Sequence, residues 1–185
     1  LMKGCEALEK RYGRRKAPEH QDFIEALVYQ ILELGAPEKS AREALERIRS
    51  EYVDWNDMRV ATVREIQDIL TAKYVRCREK AEDLSSLLAD LYTAFRSMDL
   101  SKLVTTQEGI ETLRALPETT LIRSDMVERA MMLVCKMNTF PCNADQFALL
   151  KYLGGAPEDA ELDQHRPVVV EHLEADERLR LSRGL

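Results

Sequence analysis

Apolar residues recur every three or four positions along most of this chain, which is the spacing of one face of an α-helix. The pattern predicts a helix that is capped by Asp22 and ends at Leu34, and a second helix that opens near Pro37. Thr62 and Glu65 have the spacing of a capping box, in which each side chain satisfies a backbone N–H at a helix start. Further helices are predicted over residues 2–12, 62–70, 76–95, 107–116 (stopped by Pro117), 124–137, 144–153 and 171–183.

No window of the sequence alternates apolar and polar residues with the period of two that is typical of a strand. The valines at 168–170 form the only strand-like run, and they are too few to found a sheet. Residues 52–56, which include the only tryptophan, Trp55, are predicted to be a linker. The pattern therefore predicts an all-α protein.

The composition agrees with this prediction and narrows the classes of function. The chain has 185 residues, of which 45% are hydrophobic, so it can bury a core and form one domain or one domain in two lobes. Only 7 glycines and 6 prolines interrupt it, and aromatic residues make up 6%, which favours helices over a sheet sandwich. A net charge of −6 excludes a broadly basic nucleic-acid binder but leaves room for a local basic patch.

The cysteines and the apolar runs predict a protein of the reducing cytoplasm. Cys5, Cys77, Cys135 and Cys142 include no C-x-x-C pair, so neither a closed metal site nor a disulfide framework is predicted. No apolar run approaches 18 residues, and no charged-then-apolar leader opens the chain. We therefore expect a cytoplasmic, intracellular protein without a membrane partner.

Several short segments occur in an informative order. They are F-I-E-A-L-V-Y-Q-I-L at 23–32, the run 41–48, D-W at 54–55, L-R-A-L-P at 113–117 and F-P-C-N-A-D at 140–145. In this order they resemble the endonuclease III-like family of helix-hairpin-helix DNA glycosylases and AP lyases. The resemblance implies an all-α, two-lobed helix-hairpin-helix glycosylase fold, with a central lobe over 20–139 and a second, discontinuous lobe of 1–19 plus 140–185.

The hairpin of this family is rich in glycine, which lets backbone N–H groups approach a DNA phosphate. The matching residues 116–125, hereafter the hairpin segment, read L-P-E-T-T-L-I-R-S-D and contain no glycine. Glu118 adds a negative charge where the resemblance places a phosphate. The DNA-contact candidates that the resemblance leaves are Thr119, Thr120 and Arg123, with Arg76, Arg78 and Lys80 as a second group of phosphate contacts.

The resemblance also implies a catalytic pair, and this chain matches neither member. AP lyases of the family use a hairpin lysine that forms a Schiff base with the deoxyribose. Counting back from Asn143 puts Asp125 at that position, and counting forward from Pro117 puts Ile122 there. Asn143 replaces the family's aspartate, and an amide can neither oppose a cationic sugar with charge nor act as a base. The leading hypothesis is therefore a catalytically inactive relative in base excision repair, a pseudoenzyme that acts by binding.

Two alternatives stay open. The chain is an active monofunctional glycosylase or AP lyase if Asp145 replaces the lost carboxylate, or if an unmatched amine such as Lys136 serves as nucleophile. Asp145, Lys136 and the Ser124–Asp125 pair are also ordinary residues for helix ends. The other alternative is a helical protein-interaction adaptor that makes no DNA contact.

No cofactor is predicted. The family's iron–sulfur loop uses four cysteines near its C-terminus, and no cysteine follows Cys142 here. The three histidines, at 20, 165 and 172, are scattered and do not predict a metal site. The expected partners are double-stranded DNA, bound weakly, or another protein.

Overall fold

The computed structural model describes residues 19–119, 122–152 and 154–172, together with Lys10. Every regular element in these ranges is a helix, and they contain no strand. The helices are α1 Phe23–Glu33, α2 Glu38–Glu51, α3 Trp55–Val60, α4 Val63–Leu70, α5 Cys77–Phe95, α6 Gln107–Thr119, α7 Ser124–Val134, α8 Ala144–Tyr152 and α9 Leu162–His172, with a 3₁₀ turn at Leu103–Thr105. The all-α prediction is confirmed. The predicted N-terminal helix, Lys10 apart, and the chain beyond residue 172 lie outside the described residues.

The chain divides into two compact units. One unit is Gln21–Ile122, and the other combines Leu1–His20 with Arg123–Leu185. The second unit is discontinuous in sequence, like the expected second lobe, but it begins at Arg123 and so includes α7. One contact that joins α7 to the following segment is the hydrogen bond from the hydroxyl of Thr139 to the buried carboxylate of Glu128.

The unit of residues 21–122 is built on amphipathic helices, as the apolar spacing predicted. Ala41 and Ala44 of α2 are fully buried, and their small side chains leave room for the larger ones of neighbouring helices. The largest fully buried aliphatic side chains of this unit are Ile24, Leu27, Leu32, Ile48, Met58, Ile66, Leu70, Leu84 and Leu88.

The two predicted helix starts in this unit are confirmed. The Asp22 carboxylate accepts a hydrogen bond from the N–H of Glu25 at 2.8 Å. At the start of α4, the Thr62 hydroxyl accepts from the N–H of Glu65, and the Glu65 carboxylate accepts from the N–H of Thr62 at 2.6 Å. The hydrogen bonds that the N–H and the hydroxyl of Thr62 donate to the Glu65 carboxylate lower the pKa of this carboxyl below its usual value, because they favour the charged form.

A buried ion pair joins α1 to α2. The Glu25 side chain is 1% exposed, and the Arg49 guanidinium donates to its two oxygens at 2.6 and 2.9 Å. The N–H of Gln21 donates to the same carboxylate at 2.8 Å. These bonds offset the cost of removing the charge from water.

Two residues from later in the chain complete the carboxyl end of α1. The ammonium of Lys80 donates to the carbonyls of Ile31 and Leu34, the latter at 2.7 Å, and the Tyr74 hydroxyl donates to the carbonyl of Leu32 at 2.8 Å. Lys80 is only 3% exposed, and burial lowers the pKa of its ammonium. The expected role of Lys80 as a phosphate contact is therefore wrong, because its amine is buried on these carbonyls.

Several element boundaries differ from the predicted ones. The predicted linker around Trp55 is the short helix α3, which Asp54 caps by accepting from the N–H of Asp57 at 2.8 Å. Six residues are too few to show helical periodicity. Pro117 does not stop α6, which runs on to Thr119, because a proline in the last turn removes only one hydrogen bond.

The helices of the other unit also differ in their ends. The end of α7 is Val134, and not residue 137, because Lys136 takes a left-handed conformation with φ of 55°. The valines at 168–170 lie within α9. Because α9 already begins at Leu162, the helix start predicted at residue 171 is wrong.

A small apolar core holds the segment that precedes α8. Its buried members are Phe140, Cys142, Phe147, Leu150, Ala156 and Val169. Arg166 of α9 donates to the carbonyl of Phe140 at 2.9 Å and to that of Cys142 at 3.2 Å. These bonds fix the backbone immediately before Asn143.

Candidate functional site

The hairpin segment is described on both sides of a short gap. Residues 120 and 121 lie outside the described residues, and so does the side chain of Thr119. The proposed contacts through Thr119 and Thr120 therefore stay predictions. Ile122 is the last residue of the unit of residues 21–122, and Arg123 is the first residue of the C-terminal part of the other unit.

Arg123 and Asp125 form an ion pair at the start of α7. The Arg123 guanidinium donates from Nε to one carboxylate oxygen of Asp125 at 3.0 Å and from Nη2 to the other at 2.9 Å. The Arg123 side chain is 54% exposed, and that of Asp125 is 16% exposed. The candidate phosphate contact of the hairpin segment is thus already paired with a neighbouring carboxylate.

Neither candidate for the nucleophile position provides an amine. Ile122 is an aliphatic side chain that is 4% exposed, and Asp125 is the partner of Arg123. The sequence has no lysine between Lys102 and Lys136. Neither Ile122 nor Asp125 therefore provides the amine that a Schiff-base lyase needs.

Asn143 caps helix α8 together with Gln146. The Oδ1 atom of Asn143 accepts from the N–H of Gln146 at 2.8 Å, and Oε1 of Gln146 accepts from the N–H of Asn143 at 3.0 Å. The sequence signal for this capping box is the polar pair Asn143 and Gln146, three residues apart, which sequence reasoning missed. Asn143, which the resemblance assigns to the position of the family's aspartate, is thus a structural cap.

The two substitute residues occupy helix ends. Asp145 is exposed in the first turn of α8, where a carboxylate interacts favourably with the helix dipole. Lys136 is exposed, and its ammonium donates to the carbonyl of Leu133 near the end of α7 at 2.8 Å. Both side chains have the contacts of ordinary helix-end residues.

The arginines at the start of α5 are also paired. Arg76 is the left-handed N-cap of this helix, and its guanidinium binds the Glu79 carboxylate. Arg78 donates to the Glu82 carboxylate at 2.8 Å. The two positive charges are therefore balanced by two negative ones on the same helix, which weakens the attraction of this region for phosphate.

A groove of about 500 Å³ opens between the end of α2 and α4, and the sequence did not predict it. Its lining includes the carboxylates of Glu51, Glu65 and Asp68. Arg47 also lines it, but its guanidinium donates to the backbone carbonyl of Ile69 at 2.9 Å. The three carboxylates oppose a polyanion, so this groove is not a nucleic-acid site.

The described cysteines do not fit an iron–sulfur cluster. Burial raises the pKa of the Cys77, Cys135 and Cys142 thiols, that of Cys142 to about 11. Within the described residues, no three His, Cys, Asp or Glu side chains come together to hold a metal ion. The absence of a cofactor stays a prediction.

Among the helices in the described ranges, none is both long enough and apolar enough to cross a bilayer.

No model of a protein family matches the sequence, and no curated protein matches it either. Solved structures do match. A trapped endonuclease III–DNA covalent intermediate is similar over 99% of this chain and 82% of its own, with a TM-score of 0.63 and 12% identity. MBOgg1 in complex with a low-affinity DNA ligand is similar over 99% of this chain and 69% of its own, with a TM-score of 0.62 and 13% identity. The 8-oxoguanine glycosylase/lyase of Clostridium acetobutylicum, in complex with duplex DNA, is similar over 98% of this chain and 64% of its own, with a TM-score of 0.59 and 13% identity.

Proposed function

We propose that this chain, which has the all-α fold of endonuclease III and of 8-oxoguanine glycosylases, is a DNA-repair-type protein that binds DNA without excising a base. The proposal has two parts. The first is that the catalytic chemistry of this fold is lost, and the second is that a weak affinity for duplex DNA remains. Each part has its own test.

The proposed loss of catalysis rests on one observation. The side chains at the two positions that the resemblance makes catalytic, Asp125 and Asn143, are engaged in local hydrogen bonds. Asp125 is the partner of Arg123, and Asn143 forms a capping box with Gln146. A lyase needs an amine to attack the sugar, and a monofunctional glycosylase needs a carboxylate to activate water or to stabilise the cationic sugar. An amide cap provides neither function.

The proposed affinity for DNA is weak because few cations are available to neutralise phosphates. The net charge is −6, and Arg76, Arg78 and Arg123 are each paired with a carboxylate. The similar structures named above include complexes with DNA, which supports DNA as the ligand class. We expect a dissociation constant no tighter than roughly 1 µM at physiological salt, within the range of non-specific binding.

A borohydride-trapping experiment tests the loss of lyase chemistry. The full chain is incubated at stoichiometric concentration with duplex DNA that contains an abasic site, and endonuclease III serves as the positive control. We expect a covalent complex with the control enzyme and none with this chain. A trapped complex that a single substitution such as Lys136→Ala abolishes would show that a working amine is present.

A glycosylase assay completes this test, because a monofunctional enzyme forms no Schiff base. Duplexes with an oxidised purine or an oxidised pyrimidine are incubated with the chain and then heated in alkali to reveal abasic sites. We expect no cleavage above that of DNA alone. Cleavage that Asp145→Asn removes would support the active-enzyme alternative.

A protein-interaction adaptor is the second candidate, and one observation favours it. Leu149 and Tyr152 lie three residues apart on α8, so they share a face of the helix, and they are 39% and 87% exposed. Exposed apolar residues on one face are typical of protein-binding surfaces. If Arg123→Ala leaves even weak DNA binding unchanged, the hairpin segment is not the contact and the adaptor is favoured.

A further inference from the structure

The ion pair of Arg123 with Asp125 has the geometry that a guanidinium also offers to a phosphate. Two different nitrogens of Arg123 donate to the two oxygens of one carboxylate, at 3.0 and 2.9 Å. Planar, two-pronged recognition of this kind is shared by carboxylates and phosphates. Asp125 therefore occupies the donors with which Arg123 would bind a DNA phosphate.

The two partners differ in how firmly they are held. Asp125 lies in the first turn of α7 and is only 16% exposed, whereas the Arg123 side chain is 54% exposed. The first turn of a helix also attracts a negative charge. Arg123 therefore has room to turn towards solvent, whereas Asp125 is held against the protein.

The pair is weak enough for an external anion to break. Ion pairs between exposed side chains shift an equilibrium by up to about fivefold at low salt. We infer that Asp125 is a positioning residue that competes with DNA for Arg123, so that a phosphate must displace this carboxylate before Arg123 contacts the duplex. This inference rests on the DNA binding proposed above.

The substitution Asp125→Asn tests the competition, with Asp159→Asn as the matched control. Asp159 is an exposed carboxylate in the same unit, so its substitution removes the same charge without releasing Arg123. Binding of the full chain to a fluorescent duplex with an abasic-site analogue is measured by anisotropy at several salt concentrations. We expect about fivefold tighter binding for Asp125→Asn and less than a twofold change for Asp159→Asn at low salt.

The same measurement in an Arg123→Ala background separates release of the arginine from simple loss of charge. With Arg123 absent, Asp125→Asn should change the affinity less than twofold. Arg123→Ala alone should also make the plot of log affinity against log salt shallower by about 0.9, because one phosphate contact is lost. A merely structural role for Asp125 would not produce this coupling. Thermal unfolding verifies that each variant is folded, and Asp125→Ser replaces Asp125→Asn if the latter does not fold.

Three results would contradict the inference. Equal effects of Asp125→Asn and Asp159→Asn, or a gain that persists without Arg123, would mean that only total charge matters. An unchanged affinity for Asp125→Asn, with measurable binding by the unsubstituted chain, would overturn the competition and leave the proposed DNA binding intact. Absence of binding by every variant at the lowest salt would overturn both.

Discussion

Asn143 and Gln146 each accept a hydrogen bond from the backbone N–H of the other, at 2.8 and 3.0 Å, and so close the start of α8. The core around Phe140 and Cys142, together with Arg166, holds the backbone that leads into this cap. Asn143, which the resemblance aligns with a catalytic aspartate, is thus held in place by hydrogen bonds at this helix start. It is part of a local structure that the helix needs.

The first prediction concerns this cap. Asn143→Asp keeps an oxygen that can accept from the N–H of Gln146, so the free energy of unfolding should change by less than about 0.5 kcal/mol. Asn143→Ala removes the acceptor and should cost about 1 kcal/mol. Urea denaturation of both variants measures the difference. Asn143→Asp should still yield no trapped adduct with abasic DNA, because no amine accompanies the restored carboxylate. An adduct with this variant would mean that the charge alone had been missing.

The second prediction concerns the buried pair of Glu25 with Arg49. Glu25→Gln should lower the free energy of unfolding by roughly 2–3 kcal/mol, since removal of one partner leaves a poorly compensated charge. The expected loss of free energy of unfolding is smaller than for a fully buried pair, because Arg49 is 26% exposed and also binds Glu46. Glu46→Gln is the matched control: it touches the same arginine but is 66% exposed, so its effect should stay within about 0.5 kcal/mol. Equal effects of the two substitutions in chemical denaturation would be evidence against this account.

The third prediction concerns Gly109 of α6. A Cβ atom at this position would lie 2.6 Å from Cα of Leu103 and would overlap the carbonyl of that residue, both of which are backbone atoms. Gly109→Ala should therefore destabilise the chain by about 1–3 kcal/mol, although alanine usually favours a helix over glycine by about 1 kcal/mol. Glu111→Ala, at an exposed position of the same helix, should have an effect within about 0.5 kcal/mol. A higher melting temperature for Gly109→Ala would show that the 3₁₀ turn can move away.

The fourth prediction concerns the Tyr74 hydroxyl, which donates to the carbonyl of Leu32 in a buried position. Tyr74→Phe leaves that carbonyl without its donor and should cost about 1–2 kcal/mol. Burial also raises the pKa of Tyr74 to about 12, so this phenol should titrate well above pH 10 in ultraviolet difference spectra of the folded chain. Tyr152→Phe removes the same group from a side chain that is 87% exposed and should leave stability unchanged.

The fifth prediction concerns pH. Hydrogen bonds from Thr62 lower the pKa of Glu65 in the folded chain below the ordinary value of 4.5. The stabilisation from this carboxylate is therefore complete above about pH 4.5 and is lost as the pH falls through the folded-state pKa. Melting temperatures of the unsubstituted chain and of Glu65→Gln should converge as the pH is lowered. Thr62→Ala removes one of the donors and should shrink the pH-dependent difference; a difference that grows in acid would contradict the assignment.

The sequence predicted the helices well because their signals are local. The caps at Asp22 and Thr62 and the apolar stripes depend on residues three or four positions apart. The role of Lys80 could not be predicted in this way, because its partners Ile31 and Leu34 are more than forty residues away. Next to Arg76 and Arg78 it resembled one more surface cation, and only the packing of α5 against α1 shows that its amine is buried.

At the candidate site, too, the sequence did not predict which residues pair, although here they are only two positions apart. Sequence reasoning identified Arg123 as a cation and Asp125 as an acid that opens a helix, but it did not predict that they form a hydrogen-bonded pair. Their pairing depends on the extended backbone of Arg123, which turns its side chain towards the first turn of α7. In contrast, the sequence alone shows that no amine occupies the positions assigned to the nucleophile, since no lysine lies between Lys102 and Lys136.

The hydrogen bonds at the carboxyl end of α1 determine how the unit of residues 21–122 unfolds locally. The carbonyls of Ile31, Leu32 and Leu34 accept hydrogen bonds from Tyr74 and Lys80, which lie in a loop and a helix that follow much later in the chain. A fragment that ends before residue 74 would leave these groups to water and would fray at this turn. Native-state hydrogen exchange should therefore show the final turn of α1 and the first turn of α5 opening together, as one cooperative element.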